Sequence, residues 1–520
     1  MTLEMHCYIV EMKIDSIFIW FPLLFLSTSL LLLKTKRLIY SNNKKLIINP
    51  PPSPPKLPLL GHLHLLGSHP HRSLCNLSRT HGPIMLLKLG SIPTVVISSA
   101  TAARELFKHH NLASCNRPRL TGSGRLSYNF QDLAFSPYGE RFRELRKIFI
   151  LELFSTKQSF HRIREEEVSL LINSISQQSI NFSSNPIDLS EKSYSLTANI
   201  TTRIAFGKSF RGGELDNQNF RKVMHRITGV LKSFSITDFF PSFGWIVDRI
   251  SGVHGKLEKS FGEMDAFFQK VVDDRINMDK ATSGNEENIV DVLLRMKRDG
   301  FQFDELVLTQ DCIKALIMDI FLAGVETGAT TIVWAMTELI RNPRIMKRLQ
   351  THIRSHIKKD QVKEKDLERL PYLKMVVKEV LRLHPPAPLL LSREITSHFK
   401  LNGYDIHPKA HLHVNVWAIG RDPECWDNPE EFIPERFMEN NIDYKGQNYE
   451  LLPFGGGRRV CPGMNMGIFT IELTLANLLL CFDWKLGDGM KEEDVDMEEN
   501  FGLAVAKKLP LTLVPVPYLA

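Results

Sequence analysis

The residues best equipped for chemistry stand together at 453–463, which reads Pro-Phe-Gly-Gly-Gly-Arg-Arg-Val-Cys-Pro-Gly. Three glycines, Gly455 to Gly457, strip the turn of side chains, so a flat partner could lie against bare backbone. Arg458 and Arg459 follow, and then the lone Cys461, just ahead of Pro462-Gly463 and a long apolar run. A thiolate at a helix entrance is stabilised by backbone N–H groups and nearby positive charge. It is a soft ligand, suited to the iron of a haem. A single cysteine is equally at home as a buried, inert side chain. A glycine-rich loop with arginines could also cradle phosphate, but the Gly-Lys-Ser/Thr ending is absent and no strand clearly leads in.

Two further groupings have chemical meaning. In Ala323-Gly324-Val325-Glu326-Thr327 the residues Ala323, Glu326 and Thr327 are spaced i, i+3, i+4 and share one helix face. The small residues leave room for a flat cofactor, and a threonine hydroxyl bonding back to its own backbone loosens a helix. An acid beside an alcohol could pass protons to a reacting oxygen; the plain alternative is a helix packed through small residues. In Lys378-Glu379-Val380-Leu381-Arg382, Glu379 and Arg382 stand at i, i+3 among apolar neighbours. A buried pair of this kind needs further partners, and Arg436 in Pro434-Glu435-Arg436-Phe437 is a candidate third member.

The elements that must position these groups are mostly helical. Thr309 to Arg341 reads as one long apolar helix, with Asn342 as the next cap and Pro343 opening the following helix. The 378–382 helix must stop at Pro385-Pro386. Helical periodicity also dominates from about Gly139 to Leu231. Met85–Leu89 and Thr94–Ser98, separated by Gly90-Ser91-Ile92-Pro93, suggest a hairpin, after which Ser99 can cap a helix through His109. Late strands fall at 399–406, turning at Asn402-Gly403, and at 411–416. Asp279 to Asn288 is polar and reads as an exposed loop. The expected class is therefore mainly α with small peripheral β-sheets.

The chain has 520 residues, 43% of them hydrophobic and 24% charged, enough for a large core. A net charge of +7 without long Lys/Arg blocks gives no sign of nucleic-acid binding, and suits a basic face for an acidic partner or a membrane. Seven scattered cysteines with no Cys-x-x-Cys pair argue against a disulfide framework or zinc site. Ile17–Leu33 is uncharged and apolar, about 25 Å as a helix, and basic residues (Lys34, Lys36, Arg37, Lys44, Lys45) follow it. That order reads as an uncleaved transmembrane anchor with the body in the cytosol, rather than a signal peptide. The prolines at 50–55 form a stiff spacer. The boundaries expected are 1–36 for the anchor, 37–55 for a basic, proline-rich hinge and 56–520 for one catalytic domain.

Phe454-x-x-Gly457-x-Arg459-x-Cys461-x-Gly463 resembles the haem-ligand loop of the cytochrome P450 monooxygenases. Glu326-Thr327, Glu379-x-x-Arg382 and Arg436 follow that family's order, and the proline hinge and Pro385-Pro386-Ala387-Pro388 look most like the plant A-type clan of the endoplasmic reticulum. The resemblance implies a cytochrome P450-like haem-thiolate fold and haem b with Cys461 as axial iron ligand. It implies electrons from NADPH through NADPH–cytochrome P450 reductase, and insertion of one atom of O2 into a small lipophilic substrate. Glu326 and Thr327 would deliver protons, and Glu379, Arg382 and Arg436 would form a structural triad. Arg146, Arg393 and Arg459 would bind the haem carboxylates, since arginine meets carboxylates two-pronged. Two positions depart from the family: Phe142 replaces the tryptophan of Trp-x-x-x-Arg, leaving one propionate contact in question, and Ser392 stands where related plant enzymes have proline. Substrate contacts are expected from 126–135, 318–327, 387–391 and 501–505, and the aromatics Phe234, Phe239, Phe240, Phe243 and Trp245 could line an entrance, dip into a membrane or pack in the core. Two other functions compete: a haem-thiolate isomerase or dehydratase without net oxygen insertion, and a non-enzymatic haem sensor.

Overall fold

The computed structural model describes residues 49–154, 160–181, 185–209, 217–232, 235–278, 287–300, 307–487 and 489–518. The expected anchor, Phe234 and most of the expected 279–288 loop lie outside these residues. The described residues fall into two compact units. The small one joins 49–50 to Gly403–Asp405, where Asn49 N–H donates to Asp405 Oδ2 at 3.1 Å and Asn49 Nδ2 to the Gly403 carbonyl at 3.0 Å. Everything below concerns the large one.

Strands β1 (Ile84–Leu89) and β2 (Ile92–Ile97) pair antiparallel, followed by helix α1 (Ala100–His109), whose cap is Ser99 accepting from Ala102 N–H. Helices α2 (Glu140–Lys147), α3 (Leu189–Phe206), α4 (Gln310–Gly324), α5 (Glu326–Arg341) and α6 (Pro371–Leu383) come next. Then follow β3 (Arg393–Glu394), β4 (His411–Val414) and α7 (Met464–Cys481). The four strands form one small sheet in the order β1-β2-β4-β3, with β2 and β4 parallel. The remaining sheets have two or three strands. The hairpin turn is shorter than the sequence suggests, because Ile92-Pro93 belongs to β2. Proline fits there since its partner Lys88 donates its N–H to His62 Nδ1 and accepts the His62 N–H at its carbonyl (both 2.7 Å). No ladder hydrogen bond is lost by a residue that has no N–H to give.

Helix α7 is apolar all round, which is stable only in an interior, and it is buried from Thr470 to Leu480. α5 packs against α7, α3 and α6 and is buried from Gly328 to Ile340. Both the α4–α5 stretch and α7 are long and apolar enough to cross a membrane, yet both are mostly buried in the protein. The prolines at 51–55 form neither helix nor strand and are docked rather than free: Pro51 and Pro54 are buried, and the Pro52 carbonyl accepts Leu86 N–H at 2.9 Å.

The single helix expected over Thr309–Arg341 is instead two, with Thr309 capping the first and a break at Val325. Hydroxyl groups compete for the ladder carbonyls there. Thr327 Oγ1 donates to the Ala323 carbonyl at 2.5 Å and Thr197 Oγ1 to the Val325 carbonyl at 2.9 Å, while Val325 N–H reaches Phe321 only at 3.3 Å. This is the loosening that hydroxyl back-bonding produces.

Candidate active site

The 453–463 segment folds into a tight loop because Gly455 and Gly457 take positive φ (72° and 66°), open to glycine at no steric cost. Cys461 N–H then closes the loop onto the Phe454 carbonyl at 3.0 Å. The space beside these glycines is used differently from the sequence expectation. A Cβ on Gly457 would come within 2.2 Å of the Asn111 side chain, and one on Gly456 within 3.2 Å of the Phe107 ring. The protein itself fills the bare backbone there, whereas a Cβ on Gly463 would meet nothing within 4 Å. Phe454 packs edge-on to Tyr444, with ring centroids 5.7 Å apart.

Gly463 is the N-cap of α7, which brings Cys461 to the helix entrance. Burial nevertheless outweighs the stabilising groups: it pushes the thiol up, while the Gly463 N–H and the Arg146 charge pull it down by less. Deeply placed as it is, Cys461 keeps some accessible area. These surroundings alone favour the thiol; a coordinated metal removes that proton outright.

Four guanidinium groups gather on and around this loop. Arg146, on α2, is half-buried, meets no acceptor among the described residues, and its charge is felt at Cys461. Arg393, at the start of β3, is buried; its Nη2 donates to the Gly456 carbonyl at 3.0 Å, and its Nη1 is buried without a partner. Arg459 is engaged on three carbonyls, Cys115 (2.8 Å), Leu133 (3.2 Å) and Ser136 (2.6 Å). Its guanidinium lies 3.8 Å from the centre of the Phe142 ring. Phe142 is therefore a buried platform for Arg459. Arg117, which sequence reasoning missed, joins them, donating to the carbonyls of Ala134, Leu391 and Ser392. Burial lowers both Arg393 and Arg459 to about 10. Such a concentration of buried positive charge calls for anionic partners.

Where α4 meets α5, Ala323 is exposed and Gly324, Glu326 and Thr327 are half-buried, in a stretch otherwise buried. Ala323 leaves its side of the helix open. Gly324 does not: a Cβ there would lie 2.9 Å from Thr201 Oγ1, so this glycine admits α3. The triad residues are brought together. Glu379 receives Arg382 Nε and Nη2 (both 2.7 Å), Arg436 Nε (3.0 Å) and Ile433 N–H (2.8 Å). Arg382 also holds the carbonyls of Gly420, Pro429 and Glu431, tying that segment to α6.

A cavity of about 510 Å³ shares Arg117 with the arginine cluster; Cys461 and Thr327 are not among its walls. Phe135, Leu391 and Leu503 come from three of the four expected stretches. Most of the rest of its lining, including Leu120, Leu231, Trp245 and Leu257, comes from 118–123 and 230–257, where the sequence had singled out only Trp245 of these. Trp245, half-exposed, lines the cavity, whereas Phe240 and Phe243 pack ring to ring at 5.2 Å and are not among its walls.

The cytochrome P450 family model matches residues 51–514. Similar proteins of Arabidopsis thaliana include cytochrome P450 71B37, 49% identical over 96% of this chain and 99% of its own, and 71B9, 50% identical over 90% and 93%. A solved zebrafish cytochrome P450 structure with abiraterone superposes with a TM-score of 0.72 at 24% identity, covering 86% of this chain and all of that one. The chain thus belongs to the cytochrome P450 family, with the fold of that family and a haem cofactor implied by it. It is an oxidoreductase, a monooxygenase of the plant A type.

Proposed function

We propose that Cys461 holds haem b as the axial ligand of its iron. In this reading the enzyme inserts one oxygen atom from O2 into a small lipophilic plant metabolite of terpenoid, alkaloid, phenylpropanoid or oxime type. NADPH supplies the electrons through NADPH–cytochrome P450 reductase. Residues 56–520 form the catalytic domain, carried by the 37–55 hinge on a single-pass 1–36 anchor in the endoplasmic reticulum membrane, with the body in the cytosol.

The observation that carries the haem assignment is the arginine cluster around the Cys461 loop, with Arg146 acting on Cys461 itself. Arg393 Nη1 is buried without an acceptor and Arg146 meets none among the described residues, which suits two carboxylates. When bound, haem supplies the activation of O2. The protein's own part is to offer the Cys461 sulfur, to bind the carboxylates through Arg146 and Arg393, and to brace the surrounding loops. Arg459, with its donors on three carbonyls, acts mainly as that brace. Phe454, Gly457 and Gly463 shape the loop. Thr327 is anchored by its donated hydrogen bond and keeps lone pairs to accept another, so with Glu326 it can hold a proton donor at the open face of Ala323. A cavity of about 510 Å³ with Phe135, Leu231, Leu391 and Leu503 among its walls suits a small apolar substrate.

Cys461→Ser should abolish the thiolate-type spectrum of the reduced, CO-bound protein, and an unchanged spectrum overturns the ligand assignment. Incubating membranes that hold the protein and a reductase with plant extract under isotopically labelled O2 should give NADPH-dependent products carrying the label. Unlabelled products would indicate the isomerase or dehydratase reading.

A further inference from the structure

Asp132 and Asp319 are both buried, one in the segment before α2 and the other inside α4, within hydrogen-bonding reach of each other. One oxygen of each is satisfied by backbone. Asp319 Oδ2 accepts the N–H groups of Leu133 (2.7 Å) and Ala134 (3.1 Å), and Asp132 Oδ2 accepts that of Phe135 (2.9 Å). The second oxygen of each, Oδ1, is buried and meets no N–H or O–H donor. Two adjacent buried carboxylates cannot both carry charge, and an unmade hydrogen bond at each buried Oδ1 is destabilising. A single proton relieves both problems.

We propose that Asp132 and Asp319 share one proton, and that this hydrogen bond together with the two backbone N–H groups of Leu133 and Ala134 seats residues 132–135 against α4. Asp319 is then a positioning residue. The segment it seats carries Phe135 into the cavity wall, and its carbonyls at Leu133 and Ala134 receive Arg459 and Arg117. Asp319 thus bears on the cavity and the arginine cluster at once.

The charged surroundings fit one shared negative charge. Arg117 and Arg459 face the pair from the cluster side. From the other side come the Cys312 thiol, raised to about 11 mainly by burial, and Arg141, whose Nη2 lies 3.4 Å from that sulfur. Burial is the main cause that raises Asp319 to about 6 and Asp132 well above its usual range. A carboxyl held above its ordinary value contributes most at low pH and loses its contribution as pH rises through the raised value. The seat therefore holds while the pair keeps its shared proton and loosens as rising pH removes it.

Infrared spectra and backbone hydrogen exchange of the full-length haem protein test this without reference to substrate. The parent should show a protonated-carboxyl band at pH 7 that both Asp132→Asn and Asp319→Asn remove. Exchange at 133–135, corrected for its intrinsic pH dependence, should rise in the parent at alkaline pH, by about tenfold for each pKa unit separating seated from released segment. Asp319→Asn supplies a permanent N–H donor and should stay protected throughout, whereas Asp319→Ala should exchange fast at every pH. A parent without the carboxyl band at pH 7, or without the alkaline rise, overturns the proposal. So does an alkaline rise that persists in Asp319→Asn.

Discussion

Replacing Glu379 by glutamine keeps the shape of the side chain and removes its charge. Glu379 and Arg382 have no exposed side-chain surface and Arg436 only 9%, so water cannot take over as counter-charge. The variant leaves two buried guanidinium groups facing an amide that must turn its own N–H donors toward one of them. Breaking a buried pair in this way costs about 3–5 kcal/mol. The carbonyls of Gly420, Pro429 and Glu431, which still receive Arg382, pull the figure toward the lower end. Even so, the loss is a large part of a typical stability of about 5–15 kcal/mol. The comparison is Glu258→Gln, which breaks a two-pronged pair with Arg125 of equally short contacts. Its side chains are 40% and 42% exposed, so the expected loss is only about 0.2–1 kcal/mol. Urea unfolding of both variants and the parent, followed by far-ultraviolet circular dichroism, should separate them clearly. If Glu379→Gln falls within about 1 kcal/mol of the parent, the network does not lock the 420–436 segment as argued.

Thr327→Ala should leave haem binding intact but release peroxide in place of product for part of the NADPH consumed; complete coupling in that variant would count against the proton-delivery role. Acid should destabilise the fold through the histidines of β4. Burial lowers His411 and His413 to about 4, so the unfolded chain takes up protons first, from about 6.5 downward. Their contribution is complete above that value and is lost as pH falls toward 4. His413→Phe should flatten the fall in urea midpoint between pH 7 and pH 5, and an unchanged slope refutes it.

What the sequence made legible was whatever local spacing could carry. Glu379 and Arg382 lie one helical turn apart among apolar neighbours, so their pairing and burial could be read directly, and Ser99 stands where a cap must. The cysteine loop was legible as a pattern, but not what packs beside Gly456 and Gly457, because those side chains, Phe107 and Asn111, come from a distant part of the chain. Arg117 looks like any surface arginine until the fold buries it beside Arg393 and Arg459. Asp132 and Asp319 each read as an ordinary acid, and only the packing of the 132–135 segment on α4 makes them a pair. The break at Val325 needed Thr197, on another helix, to become visible.

The grip of Arg459 on the Cys115 carbonyl joins residues 344 apart in the chain. At about 5–20 residues per second on the ribosome, that separation corresponds to roughly 17–70 seconds of synthesis. The segment around 111–136 must wait that long for Arg459 and for the Gly457 surface that receives Asn111. Cys461 arrives only after both, so under the proposed ligand assignment cofactor capture is confined to the last stage of folding, and the cavity wall and the cysteine loop are completed by one late event.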